Sequence, residues 1–301
     1  MADDAPKIMG GTAIKPKEYH GWEAVSKFLY NKETGQVCTR TPKSWALITV
    51  FYLIYYSCLA AFWAAMLTVF FQTLPANEPK WQATNGIIGK SPGLGLRPNQ
   101  TEERIDSSMI VFSSEAEDQD GKPGWKGWAD RSAAFLESYK SDPYAGFTVD
   151  DLGDCKEEGH GYKDGKPCVF LKLNKIYGLE HEYYNKKDEF PEDMPQALRD
   201  HIVGQTDKNQ VWVDCQPKNV ADKEALKSIT YFPTSRGFSF PTGEHFPFKG
   251  QKGFKSPLVA VQFEPVRKGQ LIHIECRAWA KNIGYNRRDK IGINSFEILK
   301  V

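Results

Sequence analysis

Residues 45–71 read WALITVFYLIYYSCLAAFWAAMLTVFF, a run without Asp, Glu, Lys, Arg, His, Asn, Gln, Gly or Pro. At about 1.5 Å rise per residue, such a run reaches roughly 40 Å as a helix, more than the roughly 30 Å of hydrocarbon in a bilayer. It therefore predicts one tilted transmembrane helix rather than the buried core helix of a soluble protein. Trp45 at its start and Phe70 and Phe71 at its end suit interfacial belts, whereas Phe51, Tyr52, Tyr55, Tyr56, Phe62 and Trp63 lie within it and want protein contacts.

The run starts too far into the chain, and is too long, for a cleavable signal peptide, so it predicts a signal-anchor. Residues 1–44 carry seven basic side chains (Lys7, Lys15, Lys17, Lys27, Lys32, Arg40 and Lys43), and the first basic residue after the run is Lys80. That asymmetry puts the N-terminus in the cytosol and residues 72–301 outside. Removing the lead's seven basic and five acidic residues from totals of 39 and 38 leaves residues 72–301 with a net charge of −1, which offers nothing to nucleic acid.

The outer segment is long enough for a domain with its own core. Cys38 falls in the lead and Cys58 in the span, and each is simplest as a free thiol. Cys155, Cys168, Cys215 and Cys276 form an even set in an oxidising compartment, which predicts two disulfides. Three pairings are possible; sequence spacing favours Cys155–Cys168 and Cys215–Cys276, worth roughly 3 and 4 kcal/mol on a chain-entropy view. The single acceptor triplet for N-glycosylation, Asn99-Gln100-Thr101, sits in a Pro/Gly-rich stretch.

Along the chain, residues 1–44 predict a mostly mobile cytosolic tail with at most a short amphipathic turn at Trp22 to Tyr30. Residues 72–100, with Pro75, Pro79, Pro92, Pro98 and several glycines, predict a loop-rich stalk. Residues 125–140 place Trp128, Phe135 and Tyr139 near helical spacing, giving one amphipathic helix. Beyond it the period drops to two: residues 167–173, 211–215, 258–263, 271–280 and 293–301 predict β-strands. In 271–280 the alternation turns Cys276 inward with Ile272 and Ile274, and Cys215 shares a face with Val211 and Val213, so a disulfide between strands or sheets is sterically sensible. The fold class predicted is a single transmembrane helix followed by an antiparallel β-sandwich with one helix and long insertions.

No catalytic constellation is visible. Asp118-Gln119-Asp120 matches the DxD with which lumenal glycosyltransferases hold a metal and a sugar nucleotide, but it sits in an acidic polar run where such a triplet arises by chance. The six histidines show no HExxH and no paired ligand spacing, and there is no GxSxG elbow or P-loop. The positive signals concern association. Tyr52 and Tyr56 share one helix face, and Ser57, Ala61 and Ala65 form a small-xxx-small row that lets another helix come close. Tyrosine hydroxyls in mid-membrane need a partner that lipid does not offer. Outside, residues 244–250 (EHFPFKG) concentrate aromatics around a proline; they serve either as a contact surface or as rings folded back on the domain.

Phe51-Tyr52-x-x-x-Tyr56, residues 161–168 (GYKDGKPC) followed by Leu171-Lys172-Leu173-Asn174, residues 257–263 (PLVAVQF) and residues 274–285 (IECRAWAKNIGY) together resemble the β-subunit family of the sodium/potassium-transporting ATPases, which includes the gastric proton/potassium pump's β subunit. The resemblance runs over nearly the whole chain. It implies a non-catalytic, single-pass type II glycoprotein of the plasma membrane whose extracellular domain is an immunoglobulin-like sandwich. It further implies that the partner is the catalytic α subunit of a P-type pump, which the family's β subunit helps to fold and leave the endoplasmic reticulum and whose potassium occlusion it tunes. Potassium, sodium, magnesium and ATP would bind that partner, so this chain needs no cofactor or metal of its own; a small single-span regulatory subunit would fit beside the pair. Tyr52 and Tyr56, with the Ser57, Ala61 and Ala65 row, would then meet α in the membrane, and Phe246, Pro247, Phe248 and Gly250 would stand where the family has a Tyr/Pro-rich loop against α. Vertebrate members usually have six ectodomain cysteines and several glycans, so four cysteines and one sequon suit an invertebrate member. The missing bridge would fall near the predicted helix, leaving that region looser or held by Trp125, Trp128 and Phe135. The family also includes relatives that do not assemble with a pump, so a cell-adhesion ectodomain stands as the alternative, with a type II lumenal glycosyltransferase behind it.

Overall fold

The computed structural model describes residues 21–32, 34–76, 78–82, 85–87, 89–99, 108–115, 124–140, 148–240 and 246–301. The chain forms two compact units, Met1–Ala76 and Asn77–Val301.

In the first unit, helix α1 (Trp22–Leu29) runs into a small hairpin of β1 (Tyr30–Asn31) and β2 (Gln36–Val37), followed by helix α2 (Pro42–Gln72). Thr41 caps α2, its hydroxyl accepting from the Ser44 N–H at 3.3 Å, with Pro42 in the first turn where no N–H is needed. At the far end the Thr73 N–H and hydroxyl both turn back to the Phe70 carbonyl, and Pro75 follows. Helix α1 falls on the short amphipathic turn expected at Trp22 to Tyr30, and the hairpin after it adds structure where composition predicts a tail. The Cys38 N–H donates to the Leu29 carbonyl at 3.2 Å and the Trp45 indole to the Val37 carbonyl at 2.9 Å, tying helix, hairpin and the start of α2 together. Two-residue strands are too short for period-two alternation to register.

The second unit is a two-sheet sandwich. Its elements are β3 (Leu94–Arg97), β4 (Met109–Phe112), α3 (Lys126–Lys140), a 3₁₀ segment (Val149–Lys156), β5 (Cys168–Leu173), α4 (Gln196–Gly204), β6 (Gln210–Pro217), α5 (Val220–Ala225), β7 (Leu226–Phe232), β8 (Gly237–Ser239), β9 (Leu258–Val266), β10 (Leu271–Trp279) and β11 (Ile293–Lys300). One sheet has the order β4-β11-β10-β6-β8, the other β3-β5-β9-β7. Among the described strands all pairings but one are antiparallel; β4 runs parallel to β11, with Ile110 opposite Ile298, an exception to the antiparallel expectation. The single ectodomain helix expected from the sequence is joined by α4 and α5. The stretch read as stalk ends earlier than residue 100, because β3 pairs with β5.

The inner faces supply one core: Val169 and Leu171 of β5 and Val259, Val261 and Phe263 of β9 face Val211 and Val213 of β6, Ile272 and Ile274 of β10, and Phe296 and Ile298 of β11. Phe263 and Phe296 meet edge to face at 5.9 Å. Both outer faces are also covered. Leu136 and Tyr139 of α3 pack with Leu152 on Phe170, Leu258 and Ala260; Leu198 and Ile202 of α4 pack on Trp212 and Trp279. Burial on both sides is why β5 and β6 read as nearly unbroken apolar runs.

Cys155 is bonded to Cys168 and Cys215 to Cys276. The second bond joins facing residues of neighbouring strands in one sheet, unlike the inter-sheet bond of antibody domains. A polar tie joins the two sheets instead. Pairing of β8 with β6 ends at Trp212, and the Tyr231 hydroxyl of β7 serves the backbone beyond it, accepting from the Cys215 N–H at 2.9 Å and donating to the Cys215 carbonyl at 3.3 Å. The Arg236 guanidinium lies 4.0 Å from the Tyr231 ring centre and pairs with the buried Asp214 carboxylate. Tyr231→Phe strands both backbone groups, so it should cost about 1–3 kcal/mol. Thermal unfolding of the full chain in detergent should show a midpoint lower by several degrees; an unchanged midpoint would mean that the hydroxyl is dispensable.

Candidate functional site

The membrane helix presents no buried side chain within its own unit, so every residue along it is available to lipid or a partner. Its rings form a block one turn high. Tyr52 stacks on Tyr56 at 5.8 Å and Phe51 on Tyr55 at 6.2 Å, while Phe51–Tyr52 and Tyr55–Tyr56 meet edge to face, each at 5.3 Å. Tyr52 and Tyr56 are 48% and 58% exposed at helix positions roughly 10–17 Å beyond Trp45 along the axis. Thr68 satisfies its hydroxyl on the Ala64 carbonyl at 2.8 Å, a local solution that the longer, rigid tyrosine side chain does not have. At about 100° per residue, Ser57, Ala61 and Ala65 fall on the side of the helix nearly opposite Tyr52 and Tyr56. The helix thus carries two seams, one aromatic and polar-tipped, the other smooth.

The aromatic loop is built differently from a projecting contact. Phe246 packs on the sandwich core, stacking on the His181 ring at 5.5 Å and lying 4.9 Å from Phe240. Phe248 sits 5.0 Å from Phe254 and 6.3 Å from Tyr177, and the Lys175 ammonium lies 5.2 and 5.1 Å from the Phe248 and Phe254 rings. The Gly178 N–H donates to the Phe248 carbonyl at 2.7 Å. The rings are folded back, as the second reading of this stretch has it, and Lys249 and Gly250 form the exposed tip. Gly250 is at φ 84°, left-handed backbone that suits glycine. Glu244 and His245 lie outside the described residues.

The landmark at 161–168 is a structural device. Its loop closes with the Lys166 N–H on the Gly161 carbonyl at 2.8 Å and the Cys168 N–H on the His160 carbonyl at 3.0 Å. A Cβ on Gly161 would stand 2.0 Å from the Lys166 carbonyl oxygen, so only glycine fits. The loop drives Tyr162 wholly into the core, stacked on Trp128 at 6.2 Å and edge-on to Phe112 at 5.5 Å. Trp128 donates to the Val111 carbonyl at 2.6 Å and carries the Arg131 guanidinium over its ring at 4.2 Å. Packing therefore holds the region around α3. In the 274–285 landmark, Arg277 is sandwiched between Trp279 and Tyr285, at 3.6 and 4.2 Å, and pairs with Asp193; this clamp has no periodicity by which sequence could reveal it.

The described histidines serve structure. The His160 Nδ1 donates to the Cys155 carbonyl at 2.7 Å, His201 reaches the Ser235 carbonyl at 3.0 Å, and His273 lies 3.6 Å from Asp222. Among the described residues no group of three His, Cys, Asp or Glu is arranged to hold a metal. Asp118 and Asp120 lie outside the described residues, as does the sequon beyond Asn99, which is itself exposed.

Burial in the aromatic cluster pushes His181 down from 6.5 to about 4. The folded state then holds fewer protons than the unfolded chain below the ordinary histidine pKa. Its contribution to stability is intact above pH 6.5 and drains away as pH falls toward 4, by about 3 kcal/mol in all. His181→Phe should flatten the pH dependence of the unfolding midpoint across that window; an unchanged slope would place the acid-sensitive group elsewhere.

The sequence pattern of the family described as sodium / potassium ATPase beta chain matches residues 15–146 and 143–296. The chain is 34% identical to sodium/potassium-transporting ATPase subunit beta-2 of Drosophila melanogaster, over 95% of this chain and 94% of that one. It is 38% identical to subunit beta-1 of the same organism, over 92% and 93%, and 30% identical to subunit beta-1 of Tetronarce californica, over 92% and 94%. With the membrane helix, the sandwich and both disulfides in place, the chain belongs to the sodium/potassium ATPase beta chain family and is a non-catalytic subunit of that kind.

Proposed function

We propose that this chain binds the catalytic α subunit of a P-type sodium/potassium pump in the plasma membrane, with its N-terminus in the cytosol and residues 72–301 outside. There it assists the folding and delivery of α and tunes its potassium affinity. Potassium, sodium, magnesium and ATP are handled by α. The observation that carries this reading is the exposed Tyr52–Tyr56 pair. Each hydroxyl is at a membrane depth where lipid supplies no acceptor, so a polar group on a neighbouring helix is the economical partner. The Ser57–Ala61–Ala65 row, on the opposite side of α2, is left for a second helix of α or for a small single-span subunit.

Outside, the contact is made by the tip around Gly250 and the edges of Phe246, Pro247 and Phe248, a surface whose shape is set by the cluster beneath it. Regulation follows from differential contact: a subunit that binds one pump conformation better than another shifts the equilibrium by that difference. About 1.4 kcal/mol would change apparent potassium affinity by up to tenfold.

Tyr52→Ala combined with Tyr56→Ala, in the full chain expressed with its α subunit, should lower retention of α in mild detergent or shift half-maximal potassium activation. Wild-type values for both would remove the aromatic seam from the interface.

A further inference from the structure

Helix α1 is sharply two-sided. Trp22, Val25, Phe28 and Leu29 fall within an arc of about 120°, while Glu23, Ser26 and Lys27 occupy the remainder of the circumference. None of the four apolar side chains is covered by its own unit: Trp22 is 86% exposed, Phe28 and Leu29 each 54%. The patch continues into the hairpin, where Tyr30 and Val37 face one another across the strands and are exposed on the same side. Hydrogen bonds from Cys38 to Leu29 and from Trp45 to Val37 fix this patch beside the first turn of the membrane helix.

We propose that α1 and its hairpin lie in the interface of the leaflet on the N-terminal side, with the apolar arc sunk among the upper acyl chains. Continuity with the span favours lipid as the occupant. Trp45, the first residue of the apolar run, is bonded to the hairpin itself, so the patch begins where the bilayer begins. The charges agree: Lys32, Arg40 and Lys43 are exposed around the hairpin and the start of α2, where anionic headgroups would meet them. The inference rests on the membrane span and not on the choice of pump partner. Its consequence is that α1 acts as a collar, fixing the depth and rotation of α2 and hence the direction in which Tyr52 and Tyr56 point.

The test is a nitroxide scan of the full chain in nanodiscs of phosphatidylcholine and phosphatidylserine. Single cysteines are placed in turn at each residue from 22 to 29 in a Cys38→Ser, Cys58→Ser background, with Leu59→Cys as the mid-span control. Collision with oxygen should exceed collision with a water-soluble nickel chelate at 22, 25 and 29 and fall below it at 23 and 27, giving a 3.6-residue period. Uniform access to nickel along α1 would overturn the proposal, as would protection from both reagents at 25 and 29 appearing only when α is present, the mark of a protein-docking face. Nickel access at Leu59 would instead contradict the span.

Discussion

Twenty-seven consecutive residues without Asp, Glu, Lys, Arg or His must leave water, and the rest of the molecule is arranged around that requirement. A lone helix in lipid satisfies its backbone internally and needs nothing further, yet this one carries tyrosines in its middle third. On the proposed function their hydroxyls turn an anchor into a recognition element, and the tyrosine and small-residue seams, nearly opposite one another around the helix, serve different neighbours.

The sandwich solves a separate problem, that of holding a stable surface of its own. Its two sheets are each covered again on the outside, by α3 with the 3₁₀ segment and by α4, so the layers run helix, sheet, sheet, helix. The disulfides reinforce this at different places: one fixes the 161–168 loop beside α3, the other staples two neighbouring strands. Communication between the sheets falls to apolar packing, to Tyr231, whose hydroxyl serves both backbone groups of Cys215, and to Asn294 of β11, whose amide donates to the Leu94 carbonyl of β3 at 2.7 Å. That buried tyrosine is held neutral, its pKa raised by burial to about 12.

The span, β5, β6, β9, β10, β11 and α3 were legible in the sequence, the span, β5 and β6 as apolar runs and the others by apolar spacing over enough residues. What was not legible lacked such a signal. β8 has three residues, and β7 is an edge strand whose Lys227 and Ser228 interrupt alternation. α4 offers only Leu198 and Ile202 to its core, and β4 joins its sheet in parallel across a long stretch of chain. The hairpin before the span is specified by single hydrogen bonds, which leave no mark on periodicity. At the candidate site the tyrosines could be singled out from polarity in an apolar run. The inward fold of Phe246 and Phe248 depends on His181, Tyr177 and Lys175, some seventy positions away in sequence.

On the proposed function this chain is one half of a pump. That is tested by affinity purification of the tagged full-length chain from its native membrane in mild detergent, with mass spectrometry and a potassium-dependent ATPase assay on the eluate. The eluate should hold a stoichiometric P-type ATPase catalytic chain and activity that responds to potassium. A folded, disulfide-bonded chain that elutes without such a partner would contradict that function.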